Sequence, residues 1–190
     1  MGDKLTAFAP HTTGIPFGKN KELEIIKQML DCWTLFQEMD NFQMTASVYR
    51  EIVQIEMGYR GLSCSAQDVL IDTIESCICI MARGAIRPDD YQNFLTGINA
   101  IQGHVFRGKI NGENAGIMTC YVMYLASCIL TEQNGIQRIT DAEPYRAIQF
   151  QMKGAKKISY IRNADPVAYA YLSESFRLLH SEGYFADSII

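Results

Sequence analysis

Ile117-Met118-Thr119-Cys120-Tyr121-Val122-Met123-Tyr124-Leu125-Ala126-Ser127-Cys128-Ile129-Leu130 is the most apolar run of the chain, interrupted only by Thr119 and Ser127. A helix that is apolar on every side must be covered on every side, and this run is shorter than the roughly 18 to 20 residues that cross a bilayer. It therefore predicts a buried central helix over about 115–130 and no transmembrane segment. The other segments are read as its cover.

The chain has 190 residues, 48% of them hydrophobic. That suffices for a single core, since a domain of this length hides roughly 70% of the surface its unfolded chain exposes. Lys and Arg total 17 against 21 Asp and Glu, a net charge of -4, with a pI near 5.4. This balance argues against a general affinity for phosphate backbones or anionic membranes. Cys32, Cys64, Cys77, Cys79, Cys120 and Cys128 mostly lie inside apolar helical patterns, where a thiol behaves as a small hydrophobe. With no leader pattern at the start, reduced thiols and a cytoplasmic setting are expected. Met1-Gly2-Asp3-Lys4-Leu5-Thr6 fits the short N-myristoylation pattern, although a permissive second residue accounts for Gly2 as simply.

Pro10, Gly14, Pro16 and Gly18 make residues 1–18 read as an irregular arm whose Phe8, Ile15 and Phe17 dock on the body. A helical domain is expected over 19–183, and 184–190 form an apolar tail. Asn20 can cap a helix to about Asp40, with Leu23, Ile26, Leu30 and Trp33 on one line and Ile25, Met29, Cys32 and Phe36 beside it. Thr45 can begin a second helix with Val48, Ile52, Ile55 and Tyr59 on its buried side and Gly58 near its end. Ser65-Ala66-Gln67-Asp68 has the form of a capping box, after which Leu70, Ile74, Cys77, Ile78 and Met81 recur at helical spacing. Pro88, Asp89 and Asp90 suit a helix start, with Phe94, Ile98 and Ile101 as the buried line to about Gln102.

Between His104 and Gly116 a polar turn is expected, with the Asn111-Gly112 pair as an alternative hairpin. Thr140-Asp141-Ala142-Glu143 is a second capping-box pattern and favours a helix through Ala155, while alternation at Ile148, Phe150 and Met152 leaves a small β-hairpin near 147–161 as the alternative. The last helix is announced at both ends by Asp165-Pro166 and Gly183, with Ala168, Leu172, Ser175 and Leu179 on one side.

No chemistry-bearing motif emerges. Cys77-Ile78-Cys79 has the wrong spacing for a zinc site, and His11, His104 and His180 are scattered. Cys120 could meet His104 only through folding, and its apolar surroundings would make the thiol inert. Asp68 with Asp72, and Asp89 with Asp90, read as a solvated face and helix-start charges. No cofactor and no catalytic residues are expected. One charge feature remains: Arg146, Lys153, Lys156, Lys157 and Arg162, interleaved with Tyr145, Phe150 and Tyr160, with no Asp or Glu between Glu143 and Asp165. A solvated face is its plain account, an acidic protein partner ranks next, and nucleic acid last.

The expectation is an all-α, single-domain bundle of amphipathic helices around a buried one. In function it is a non-catalytic protein-protein interaction module, adaptor- or chaperone-like, with Arg146, Lys153, Lys156, Lys157, Tyr160 and Arg162 as candidate partner-binding residues. An enzyme of unrecognised type with a pocket between helices is the alternative. Binding of nucleic acid or an anion through the strip 146–162 is the third.

Overall fold

A computed structural model describes residues 1–104 and 110–185, the side chains of 103 and 104 excepted. Its helices are α1 (Gly2–Ala7), α2 (Glu22–Glu38), α3 (Phe42–Arg60), α4 (Ala66–Met81), α5 (Pro88–Ala100), α6 (Gly112–Leu130), α7 (Ala155–Ile158), α8 (Ile161–Ala164) and α9 (Pro166–Ser181), with 3-10 turns at Ile101–His104 and Glu143–Tyr145. Among the described residues no strand forms, and the helices pack as an all-α, single-domain bundle.

The apolar run is the body of α6. Asn111 starts that helix: its Oδ1 accepts from the backbone N–H groups of Glu113 and Asn114, each at 2.9 Å, satisfying donors that a helix start leaves orphaned. The Asn111-Gly112 pair is therefore a helix start and not a hairpin turn. Every residue from Val122 to Leu130 is buried. The two polar interruptions are absorbed by the helix itself, since Thr119 Oγ1 donates to Gly116 O and Ser127 Oγ to Met123 O, both at 2.8 Å. Helices α4, α9 and α2 cover it. Among the described helices α6 is the one long and apolar enough to cross a membrane, with mean hydropathy 1.2, yet 72% of that window is buried inside the fold.

The covering helices α4 and α9 follow their sequence signals closely. In the α4 capping box Asp68 N donates to Ser65 Oγ at 3.1 Å and Ser65 N to Asp68 Oδ2 at 2.7 Å, and Leu70, Ile74, Cys77, Ile78 and Met81 are all buried. In α9 Asp165 Oδ1 accepts from Ala168 N at 2.9 Å, and Gly183 turns the chain at φ +78°. Phe36 of α2, Tyr121 and Tyr124 of α6 and Tyr171 of α9 close this side of the core, with ring centroids 5.0 to 6.3 Å apart.

Elsewhere the fold departs from expectation. Asn20 sits at φ +55° and does not cap α2, whose start at Lys21 has no side-chain cap. Helix α3 begins at Asn41, whose Oδ1 accepts from Met44 N at 2.9 Å, and ends at Gly61 (φ +63°) instead of Gly58. Its buried line is Phe42, Ala46, Tyr49, Val53 and Met57. The expected line faces outward, with Ile55 58% and Tyr59 89% exposed. α3 carries apolar residues at helical spacing on two sides, and α1 and α4 cover only one of them.

The N-terminal segment is not an irregular arm throughout, because Gly2–Ala7 is helical. So short a helix is unstable alone, and it is held by burial of Leu5 and the following Phe8 and Ala9. A Cβ at Gly2 would lie 2.4 Å from Tyr49 N, so close packing against α3 by itself requires this glycine. Asp72, expected on a solvated face, is buried. It accepts from His11 N at 2.8 Å and Thr12 Oγ1 at 2.9 Å, while His11 Nε2 lies 2.8 Å from Asp90 Oδ2. These contacts strap the loop after α1 to α4 and α5.

Between Gly135 and Asp165 neither a long helix nor a hairpin forms. Asp141 Oδ1 accepts from Glu143 N at 2.9 Å, a local turn that takes the place of a capping box. Irregular chain follows to Gly154 at φ +87° and the short α7 and α8. Tyrosines of the core satisfy its backbone: Tyr124 Oη accepts from Gln137 N at 3.0 Å, Tyr171 Oη accepts from Ile139 N at 2.9 Å, and Tyr169 Oη donates to Ile148 O at 2.7 Å. At the C-terminal end Tyr184 and Phe185 pack half-buried against the core. The rest of the expected tail, 186–190, lies outside the described residues.

Candidate functional site

The fold divides the basic strip. Lys153, Lys156 and Lys157 are exposed, and among the described residues no acid lies within ion-pair distance of them. Arg146 is exposed too, but its Nε is 3.1 Å from Glu143 Oε2, so the acid bordering the strip reaches into it. Arg162 is half-buried, its guanidinium 5.9 Å from the Tyr169 ring centroid, and its Nη1 donates to Arg146 O at 3.4 Å. Tyr160 turns away from the strip. Its hydroxyl donates to Glu113 O at 2.8 Å, Arg83 stacks over its ring at 4.6 Å, and burial pushes its phenol pKa up.

Arg146, Lys156 and Arg162 are thereby gathered around two adjoining clefts of about 320 and 230 Å3. Arg162 lines both. Lys153, Lys157 and Tyr160 line neither.

A second surface lies on the side of α3 that the sequence pattern places inward and the fold turns outward. Along the outer side of α3 and just past its end, Met44, Ile55, Tyr59 and Leu62 are 66%, 58%, 89% and 37% exposed, with Val48 and Ile52 half-buried among them. Val48, Ile52, Ile55, Tyr59 and Leu62 follow the alternating spacing of four and three residues that makes a seam on a straight helix. At the N-terminal end of the line, Leu35, Met39, Met44 and Val48 line a cleft of about 290 Å3.

Acids border this line. At about 100° per residue, Glu51 and Glu56 fall on opposite edges of it, and Arg50 points to the far side, into a different cleft beside Tyr49 and Cys64. Glu56 is held by Arg60 at 3.5 Å, and that arginine also donates to Gly14 O at 2.9 Å. Glu38, Asp40 and Glu51 are exposed and have no ion-pair partner among the described residues.

Cys32, Cys77, Cys79, Cys120 and Cys128 are buried free thiols. Burial pushes Cys120 well up and Cys128 to about 12, so neither forms a thiolate near neutral pH. Cys120 lies 3.5 Å from Met81 Sδ. The pairing of Cys120 with His104 falls on a side chain outside the described ones. Among the described residues no three Cys, His, Asp or Glu side chains converge as a metal site requires. Comparison of the chain with protein-family models, with curated proteins and with solved structures gave no match.

Proposed function

We propose that the chain is a non-catalytic helical protein-interaction module, and that it takes an amphipathic partner helix with basic flanks. One observation carries this: an apolar line on the outside of α3 that the described residues leave largely uncovered. Ordinary surfaces show single exposed apolar residues, whereas a contiguous line marks a contact. An amphipathic helix reads such a line through anchors three and four residues apart, and Met39 and Met44 supply soft, adaptable contact at its edge.

The acids choose the occupant. Glu51 and Glu56 on the two edges, with Glu38 and Asp40 at the cleft, favour Lys or Arg on the partner. In a parallel pairing with a second copy of α3, Glu51 would face Glu56 of that copy across the seam, a like-charge contact. A cytoplasmic setting belongs to the same proposal, supported by the buried free thiols.

A photoreactive phenylalanine analogue at position 59, compared with one at the exposed Gln92 of α5, tests this. The expected result is a cross-link specific to position 59 whose captured peptide is an amphipathic helix with Lys or Arg on its flanks. Equal capture at both positions, or capture of a second copy of this chain, would overturn it.

A further inference from the structure

The clefts at the junction of α7, α8 and α9 stand apart from the α3 surface and rest on different residues. Both are lined without a single Asp or Glu, and their polar walls are Arg146, Gln149, Lys156, Ser159, Arg162 and Asn163. In a chain of net charge -4, three cations border these two clefts: Arg162 lies on both, Arg146 on one and Lys156 on the other.

The central group is pre-set. Arg162 is half-buried, and it is fixed both by the Tyr169 ring beneath it and by its bond to Arg146 O. Its remaining N–H donors keep a planar fork that matches two oxygens of one anion. Arg146 closes the outer side. Its pairing with Glu143 joins two side chains that are 60% and 73% exposed, and such a surface pair yields to a stronger ligand at little cost.

We infer that the cleft of Arg146, Arg162 and Asn163 binds the phosphoryl group of a small phosphate monoester. Two arginines, with Lys156 on the adjoining cleft, call for more than the single charge of a carboxylate, and a phosphomonoester carries about -1.5 to -2 near neutral pH with three acceptor oxygens. The side-chain amide of Asn163 adds a neutral donor at the rim. A nucleic-acid strand fits poorly. The nearby rings, Phe150 and Tyr169, are only 9% and 3% exposed, so no aromatic face is offered on which bases could stack.

The test uses the full chain titrated with inorganic phosphate and with glycerol 3-phosphate, against chloride at matched ionic strength. The signals followed are the arginine Nε–H and Asn163 side-chain amide resonances. Saturable shifts with both phosphates and not with chloride are expected, weakened at least about tenfold by Arg146→Gln or Arg162→Gln, as loss of a charge-assisted bond implies. Arg146 is exposed, so its variant tests the site without threatening the fold. Lys153→Gln, outside the clefts, should leave the affinity unchanged. Linear drift equal to that in chloride, or equal weakening by Lys153→Gln, would overturn the assignment and leave only a diffuse attraction of anions.

Discussion

Helices α6 and α3 are both 19 residues long, and they spend their apolar residues in opposite ways. α6 is apolar on all sides and has α4, α9 and α2 around it, so even its threonine and serine turn their hydroxyls inward to the helix backbone. α3 carries two apolar lines, of which α1 and α4 cover one and nothing in the described chain covers the other. Apolar content alone does not separate a core helix from a docking helix. What separates them is how much of the apolar surface the rest of the chain can reach.

The contrast can be broken most forcefully at α6. Leu125→Asp places an unpaired charge where the side chain is fully buried, and should cost several kcal/mol of stability, on the order of 3 to 5. Urea denaturation reads this directly, and an unchanged midpoint would remove α6 from the core. A smaller loss is expected at the cover of α3. Gly2→Ala forces a Cβ to within 2.4 Å of Tyr49 N and should lower stability by about 1 to 3 kcal/mol as α1 is displaced from the inner line. A neutral effect would mean that Gly2 is merely a tolerated residue.

A weaker effect of opposite sign is expected at the strap that follows α1. Burial raises the Asp72 carboxyl above its ordinary 3.8, against the smaller lowering by Thr12 and His11. Below 3.8 it is protonated folded and unfolded alike. Above that value the unfolded chain gives up its proton first, so this group lowers stability as pH rises until the folded carboxyl also ionises. Asp72→Asn should therefore gain stability over the parent at neutral pH and lose that advantage as pH falls through the carboxylate range. A difference independent of pH between 3 and 8, roughly, would contradict the burial of this carboxyl. The smallest change is expected for Ile55→Asp on the outer line of α3, within about 0.5 kcal/mol of the parent.

Legibility followed how local each cause was. The box at Ser65 and Asp68 and the signals at Asp165, Pro166 and Gly183 act within a few residues, and α4 and α9 stand where those signals put them. The apolar run from Ile117 to Leu130 likewise announced α6. Hidden were the features that depend on distant partners. Gly2–Ala7 is helical because α3 and the core receive it, Asp72 is buried because His11 and Thr12 arrive from sixty residues away, and 137–150 holds only a 3-10 turn because core tyrosines satisfy its backbone.

The candidate sites divide in the same way. Arg146, Lys156 and Arg162 were legible as a charge imbalance and line two adjoining clefts. Tyr160 left that group for Glu113, a contact made across the fold. On α3 the repeating apolar spacing was visible, but two such lines share the helix, and only the placement of α1 and α4 decides which is inside.

Carbene footprinting of the purified chain tests the central contrast on a single helix. Heavy labelling of Met44, Ile55 and Tyr59, with Tyr49, Val53 and Met57 left unlabelled, is the predicted result. Labelling of Tyr49 and Val53 with protection of Ile55 and Tyr59 would place the other line in the core and leave α3 without a surface to offer a partner.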